Sequence, residues 1–437
     1  MGMAAVNVAI PTMAADLQAN AIKVGWLPTL YILANVAFML PFGKLADNYG
    51  RKRVYACGLA LNALSAGMCA IANDIDWILF WRFLQGASGA MIFGTGIAII
   101  TSVTPANKRG AALGVVASCV YIGLTLAPAV GGWLTQFLGW RSVFYFQIPL
   151  VLVLLVFIKL KLRGEWKNDH HSRFDWIGSF IFLVFACSLV YGFSELPSAV
   201  GFSLLLVSVL SMAAFIAHQS RDRQPLIRVQ MFKESRVFSL SLATSFLMYG
   251  SNFAILFLLS LYLQYIKGFS PAYSGQILLM QALCMAIMAP IAGKLSDKFQ
   301  ARIIATTGCV IVAIGFVLLS QLDFDTSARF IAISLACIGI GFGLFSTPNN
   351  NAIMSSVKEQ EVGAASASMN LGRTIGNLVG MSIVNLMMHY YLGDATFSEQ
   401  TNPQLMSTIS LALMMSLSFV ITACVMSSFR GAQQKYG

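Results

Sequence analysis

The sequence has little charge. Only 10% of its 437 residues are Asp, Glu, Lys or Arg, whereas 57% are hydrophobic, and the mean hydropathy is +0.74. A soluble domain carries about 25% charged residues, so this composition excludes one. Apolar runs of about 20 residues recur along the chain, which is the length that a helix needs to cross a bilayer. We therefore predict an all-α integral membrane protein rather than a β-barrel.

The sequence also lacks the patterns that bind metals or support catalysis. Its eight cysteines are scattered without metal-ligand spacing, and its four histidines form no H-E-x-x-H or similar motif. His170 and His171 are adjacent, but they lie in a polar loop that we expect to be solvated. No embedded nucleophile with a base is visible, and no G-x-x-x-x-G-K-[ST] loop for ATP is present. We predict no enzyme activity, no metal and no cofactor, and an enzyme or a sensor is the least favoured class.

Acidic residues are missing from the middle of the apolar runs, since all 17 lie at run ends or in loops. The net charge of +11 could suggest nucleic acid as a partner. The basic residues, however, occupy short loops between apolar runs, and such loops face lipid headgroups. The predicted partners are therefore the lipid bilayer and a small hydrophobic substrate, not nucleic acid. The sequence gives no indication of an accessory subunit.

About fourteen apolar runs are predicted to span the membrane. The first, Met1 to about Ala15, reaches at most about 22 Å as a helix and is too short to cross alone. Basic residues are concentrated on one side of the predicted spans, and the positive-inside rule places that side in the cytoplasm. Both termini are then cytoplasmic if the first run crosses.

The predicted spans divide into three parts. Residues 1–160 form a first six-helix bundle, and residues 236–437 form a second. Residues 161–235 between them hold two basic loops and two inserted spans, which only Glu195, Leu196 and Pro197 separate. These two spans are predicted to form a tight helical hairpin.

One stretch, GKLADNYGRKR at 43–53, must turn the chain at a membrane surface. Gly43 and Gly50 permit the tight backbone that such a turn needs. Asp47 is the single acid in the stretch, and we expect it to form a local charge pair or to contact a helix end. A dense positive cluster follows, formed by Arg51, Lys52 and Arg53. This spacing resembles the loop between helices 2 and 3 of the major facilitator superfamily.

The stretch is repeated later in the chain. GKLSDKF at 293–299 repeats GKLADNY, so that Gly293 and Asp297 correspond to Gly43 and Asp47. Parallel repeats of this kind relate the two halves of major facilitators, whose substrate site lies between the halves near the membrane midplane. The inserted hairpin accounts for the extra distance between the copies. The plan of six, two and six helices resembles the fourteen-helix drug–proton antiporter branch.

Further stretches resemble motifs of that branch. They are VNVAIP with Asn7, WRFLQGASG at 81–89, GLTLAPAVGG at 123–132, FDWIG at 174–178 and NLGRTIG at 370–376. Ala127 departs from the pattern, because the branch usually has glycine there. The branch also usually carries an embedded aspartate five residues ahead of the asparagine that matches Asn7, and this position is Gly2 here. We expect the reading frame to extend upstream by roughly 10 to 30 residues, completing the first span and supplying the acid.

The resemblance implies a secondary active transporter that works by alternating access between two bundles. The predicted function is efflux of small hydrophobic compounds or drugs across the plasma membrane, a bacterial inner membrane, with the proton gradient as the driving force. The alternative is a metabolite or solute transporter of the same fold with another cargo or direction, because the fold does not fix the substrate.

Two arginines fall inside predicted spans, where a charge is costly unless it faces a cavity or a partner. Arg82 is expected to line the central cavity and to bond with Gln85 or a carbonyl oxygen. The alternative is that it reaches the membrane surface near Asp76. Arg373 is expected either to line the cavity or to make a structural hydrogen bond to a carbonyl. We group both with Asn7 as candidate cavity or coupling residues.

Two other stretches leave their role open. Gly123, Pro128, Gly131 and Gly132 make a helix face with little side-chain bulk, which suits close packing in lipid. The resemblance implies that this face seals the cavity, and simple packing is the alternative. PNNN at 348–351 either lines the inner mouth of the cavity or caps and kinks a helix.

Overall fold

The computed structural model describes residues 2–104, 109–162, 164–165, 174–222, 225–357 and 362–431. Over these residues the chain is helical, and its only β-type pairing is an isolated bridge between Asn20 and Thr396. The predicted all-α class is confirmed. His170 and His171 lie outside the described residues.

Sixteen α-helices occur in the described ranges. The first seven are α1 (Gly2–Asp16), α2 (Ala21–Tyr49), α3 (Arg51–Ala70), α4 (Ile75–Val103), α5 (Arg109–Leu138), α6 (Arg141–Tyr145) and α7 (Gln147–Lys161). A hairpin of α8 (Trp176–Ser194) and α9 (Ala199–Arg221) follows. The remainder are α10 (Gln230–Glu234), α11 (Arg236–Leu261), α12 (Pro271–Lys298), α13 (Ala301–Leu319), α14 (Ala328–Ser355), α15 (Val362–Tyr391) and α16 (Asn402–Phe429).

Ten of the described segments are long and apolar enough to cross a membrane. They are α2, α4, α6 with α7, α8, α9, α11, α12, α13, α14 and α16. Helix α1 has only 15 residues, and α5 contributes a shorter apolar stretch, Ile122–Leu138. A helical protein with many membrane spans is therefore confirmed, whereas the number fourteen stays a prediction.

The helices pack as two groups with the hairpin beside them. In the N-terminal half, α1–α7, helix α4 packs on α2 and α3. In the C-terminal half, α11–α16, helix α14 packs on α12 and α13, and α11 packs on α15 and α16. The halves meet chiefly where α5 contacts α12 and where α2 contacts α15. Helix α8 of the hairpin contacts α2 and α15, so it lies against both halves.

The turn between α2 and α3 is shorter than the sequence indicates. Helix α2 continues to Tyr49 and α3 starts at Arg51, so Gly50 alone makes the turn, with a φ of +116°. The expectation that Gly43 helps to form the turn is wrong, because Gly43 lies inside α2. We call the end of the molecule that carries Gly50 the basic end and the opposite end the sealed end.

Candidate functional site

Arg82 is buried within the N-terminal half. Its side chain is 1% exposed; Nε donates to the carbonyl oxygen of Leu27 at 3.3 Å, and a terminal nitrogen donates to Oε1 of Gln85 at 2.7 Å. The other terminal nitrogen is buried without a partner. The alternative that Arg82 reaches the surface near Asp76 is wrong, because Arg82 is buried and Asp76 pairs instead with Lys23 at 2.6 Å.

Two glycines of α4 allow Tyr31 of α2 to lie beside Arg82. A Cβ atom on Gly86 would lie 2.1 Å from the carbonyl oxygen of Tyr31, and one on Gly89 would lie 2.9 Å from the Tyr31 hydroxyl. Helices α4 and α2 therefore approach closely only because these positions lack a side chain. The result is that the Arg82 guanidinium lies 4.6 Å from the centre of the Tyr31 ring.

Arg373 is held in the same manner in the C-terminal half. It is partly buried, donates to Oδ1 of Asn350, and lies 4.7 Å from the centre of the Tyr249 ring. A Cβ atom on Gly376 would lie 2.2 Å from the carbonyl oxygen of Phe246, which shows how closely α15 approaches α11. In both halves, glycines that follow the arginine on its own helix allow that helix to pack closely against a second helix. The second helix carries the tyrosine that lies beside the arginine.

The asparagines of PNNN have separate contacts. Asn349 is buried and accepts from the equally buried Arg430 at 2.7 Å, while it donates to Oγ of Ser245 at 2.8 Å. Asn350 accepts from Arg373, and Asn351 is exposed near the end of α14. One asparagine of the three is therefore structural, and its neighbour belongs to the Arg373 cluster.

The basic end carries a charge network around Gly50. Oδ1 of Asp47 accepts from Nε and a terminal nitrogen of Arg51, at 3.0 and 2.9 Å. Oε1 of Glu165 accepts from the backbone N–H groups of Lys52 and Arg53 at 2.9 and 3.4 Å, at the start of α3. A carboxylate at a helix N-terminus is favourable because unpaired N–H groups point toward it. In the second copy of the motif, Gly293 lies inside α12, and the side chain of Asp297 is outside the described set.

Within the described ranges, hydrogen bonds join the two halves toward the opposite end. Ser260 donates to the carbonyl oxygen of Asn7 at 2.9 Å, and Asn385 donates to Oγ1 of Thr29 at 3.0 Å. The backbone N–H of Ala21 donates to the carbonyl oxygen of Ala395 at 3.0 Å. These contacts join α1 to α11 and α2 to α15 toward the sealed end. Asn7 thus lies in the joint between the halves, and its side-chain oxygen is buried without a partner.

The glycines of the α5 motif lie in the same joint. A Cβ atom on Gly132 would be 2.3 Å from the carbonyl oxygen of Pro271 in α12, and one on Gly131 would be 2.6 Å from that of Ala5 in α1. The carbonyl oxygen of Pro128 lies 2.3 Å from the Cβ position of Gly275. Gly123 is partly buried nearer the middle of α5. The motif therefore allows backbone-to-backbone contact between the halves.

A further polar cluster closes the base of the α8–α9 hairpin. Asp175 accepts from the N–H of Gly178 at 2.7 Å and from Nε2 of Gln219 at 2.7 Å, and it contacts Nε2 of His218 at 2.9 Å. Burial raises the pKa of Asp175, but the hydrogen bonds from Gly178, His218 and Gln219 outweigh it, so the pKa lies below its ordinary value. The cluster ties the two hairpin ends together.

Sequence reasoning missed Tyr31, Tyr249, Glu165 and the Asp175 cluster. FDWIG was noted only as a motif, and no local pattern marks the others. Their contacts come from helices far away in the chain, which a single sequence does not reveal.

Comparison with known proteins places these features in a family. A model described as Major Facilitator Superfamily matches residues 1–381. The chain is similar to riboflavin transporter RibZ of Clostridioides difficile, at 30% identity over 86% of this chain and 82% of that protein. It is also similar to multidrug resistance protein Stp of Mycobacterium tuberculosis, at 28% identity over 89% and 73% of the two chains.

Solved structures share the fold. A structure of proton dependent oligopeptide transporters aligns with a TM-score of 0.68 at 14% identity, covering 98% of this chain and 95% of that one. A bacterial homologue of the human lysosomal transporter Spinster aligns with a TM-score of 0.65 at 16% identity, covering 98% and 94%.

Proposed function

Because the chain belongs to the Major Facilitator Superfamily, whose members are membrane transporters and not enzymes, we propose that it exports small hydrophobic compounds by alternating access. Its proposed location is the plasma membrane of a bacterium, since the relatives named above are bacterial. The moving bodies are the bundles at 1–160 and 236–437, with residues 161–235 connecting them. The inserted hairpin brings the proposed number of spans to fourteen.

The observation that carries the proposal is that, among the residues that the structure describes, the bonds between the halves lie toward the sealed end. The hydrogen bonds from Ser260 and Asn385 and the close approach at Gly132 all lie toward the sealed end. The GKLADNYGRKR stretch at 43–53, with the Asp47–Arg51 pair, lies at the other end, and we propose that it gates the cavity there. We assign the basic end to the cytoplasm, so that this conformation opens inward. Transport then requires the joint to break and the basic end to close.

Efflux is favoured by the multidrug relatives, whose names include multidrug resistance protein Stp and multidrug transporter protein MdtP. We propose the proton gradient as its driving force. The described spans hold no carboxylate in mid-helix. We therefore propose that Arg82 with Gln85 takes part in the proton-linked rearrangement, since Arg82 has a buried N–H without a partner.

Transport of a nutrient or metabolite is the second candidate, and the similarity to riboflavin transporter RibZ favours it. Direction separates the two candidates. In inside-out vesicles an exporter accumulates its cargo when a proton gradient is applied, whereas an importer releases it.

The first test is a drug-susceptibility panel in a host without its own pumps. We expect expression of the full chain to raise the inhibitory concentration of several hydrophobic compounds by about fourfold or more. A fourfold change in the concentration ratio of a compound across the membrane corresponds to roughly 0.8 kcal/mol. An Arg82→Ala variant made in equal amount serves as the control. Unchanged susceptibility to every compound, together with riboflavin or metabolite uptake, would favour the second candidate.

Topology gives a separate prediction. In a cysteine-free background, a cysteine at Glu195 should react with an impermeant reagent from outside the cell, and a cysteine at Asp222 should react only from the cytoplasm. A third at Asp169, outside the described residues, should behave as Asp222 does. Reaction of 169 and 222 on opposite faces would leave only one inserted span and contradict the count of fourteen.

A further inference from the structure

We propose that Arg373, held over Tyr249, binds the negatively charged group of the cargo, so that the preferred substrates are organic anions with a flat apolar body. The inference rests on the proposed transport function and narrows its substrate class.

Arg373 has hydrogen-bonding capacity to spare. Its one hydrogen bond within the described structure goes to Asn350, and its Nε is buried without a partner. A guanidinium carries five N–H donors in a planar fork that matches a carboxylate, sulfonate or phosphate group. Arg430 shows the contrast, because it donates to Ser241, to Asn349 and to the carbonyl oxygen of Ala301 and is 1% exposed. Arg430 is structural, whereas Arg373 has donors left for a ligand.

Arg373 also has no acidic partner among the described residues. The ion pairs of that part of the chain lie at helix ends or in loops: Lys23–Asp76, Asp47–Arg51, Arg53–Glu165, Asp16–Arg141 and Asp175–His218. A fixed positive charge in a low-dielectric cavity attracts anions and repels cations. The positive charge at Arg373 therefore favours cargo molecules that carry a negative charge.

Arg373 is partly buried and lies nearer the basic end than the contacts that join α15 to α2. It is the twelfth residue of the 30-residue helix α15, counted from the basic end. The contacts that join α15 to α2, such as Asn385 with Thr29, lie further along α15 toward the sealed end. A compound entering from the basic end meets Arg373 before it meets the joint.

The surroundings of Arg373 suit a flat apolar body. The Tyr249 ring lies 5.0 Å from the Phe342 ring, and Phe342 lies 5.9 Å from Phe345. The Tyr249 ring is partly exposed and offers aromatic surface beside the guanidinium, whereas Phe342 and Phe345 are buried. Asn377, one turn beyond Arg373 on α15, has a buried side-chain oxygen without a partner, which can accept from a hydroxyl or N–H of the cargo.

Two xanthene dyes of similar size test the charge preference. Fluorescein is an anion at neutral pH and rhodamine 123 is a cation, and uptake of each is measured in inside-out vesicles that contain the full chain. We expect saturable uptake of fluorescein and much weaker uptake of rhodamine 123. Arg373→Gln should raise the KM for fluorescein at least about tenfold, as expected for loss of a charge-assisted pair. Arg373→Lys should recover part of that loss.

A second variant keeps the test informative if Arg373→Gln misfolds. Tyr249→Leu removes the ring but keeps the charge, so it should weaken fluorescein uptake without admitting rhodamine 123. Preference of the wild-type protein for rhodamine 123, or an unchanged fluorescein KM in folded Arg373→Gln, would overturn the inference and leave the proposed export intact. If neither dye moves and the drug panel is also negative, the proposed function and the inference both fail.

Discussion

Replacing Gly132 by alanine is expected to reduce transport severely. The added Cβ would lie 2.3 Å from the carbonyl oxygen of Pro271 and 3.0 Å from its carbonyl carbon, so backbone has to move. Because both partners are helix backbone, α5 and α12 must separate where the halves meet. Gly275→Ala acts from the other side, where the carbonyl oxygen of Pro128 lies 2.3 Å away. We expect each variant to reduce the transport rate at least about tenfold, which corresponds to a free-energy change of roughly 1.4 kcal/mol.

Chemical labelling distinguishes a forced opening from simple unfolding. A single cysteine at Ala272, which is partly buried and whose N–H donates to Oε1 of Gln136 at 3.2 Å, should label faster from outside in Gly132→Ala than in the parent. Gly67→Ala is the matched control, because its Cβ would meet only Ile148, at an ordinary 3.6 Å. Normal transport by Gly132→Ala at normal abundance would show that the joint tolerates a methyl group and does not gate the cavity.

Substitution of Arg82 is expected to have an effect of similar size. Alanine removes the hydrogen bonds from Arg82 to Oε1 of Gln85 and to the carbonyl oxygen of Leu27, and we expect transport to be lost. Lysine keeps the charge but not the planar fork that bonds to both acceptors at once. Arg82→Lys should therefore transport at least about tenfold more slowly, as expected when a buried charge-assisted hydrogen bond is lost.

Arg430→Lys is the matched control for Arg82, since Arg430 is equally buried but belongs to a structural cluster. It should lower the melting temperature of the purified protein and leave transport per folded molecule nearly unchanged. Initial rates in vesicles, normalised to the amount of folded protein, give the comparison. Wild-type rates in Arg82→Lys would mean that Arg82 needs only its charge.

Much of the architecture could be predicted from the sequence because membrane helices carry strong local signals. The length of the apolar runs and the charge inside two runs depend on nearby residues alone, and the repeat of GKLADNY as GKLSDKF is visible when the two stretches are compared. The exact ends of the helices were harder to predict from the sequence. Helix α2 continues through most of the predicted loop, because Gly50 makes the turn alone. Near the end of the N-terminal bundle, the apolar segment Arg141–Lys161 is divided at Phe146 into α6 and α7.

The contacts of the candidate site could be predicted only in part. A buried arginine must find acceptors, so Gln85, three residues away on the same helix, could be named as a partner of Arg82. Tyr31 and Tyr249 lie on other helices, and their positions follow from glycine contacts such as Gly86 with Tyr31. A sequence shows that a glycine is small, but not which helix will approach it.

The unpaired charge of Arg373 has an electrical consequence. The proton gradient includes a membrane voltage, which acts on any net charge that crosses the field, at about 2.3 kcal/mol per elementary charge per 100 mV. When an anion is bound to Arg373, the moving unit carries no net charge there, and the voltage exerts little force on it. After release, the empty carrier returns with its positive charge, and a negative cell interior draws that charge inward. The voltage would therefore drive the resetting step of the cycle, so that turnover at saturating cargo rises with membrane potential.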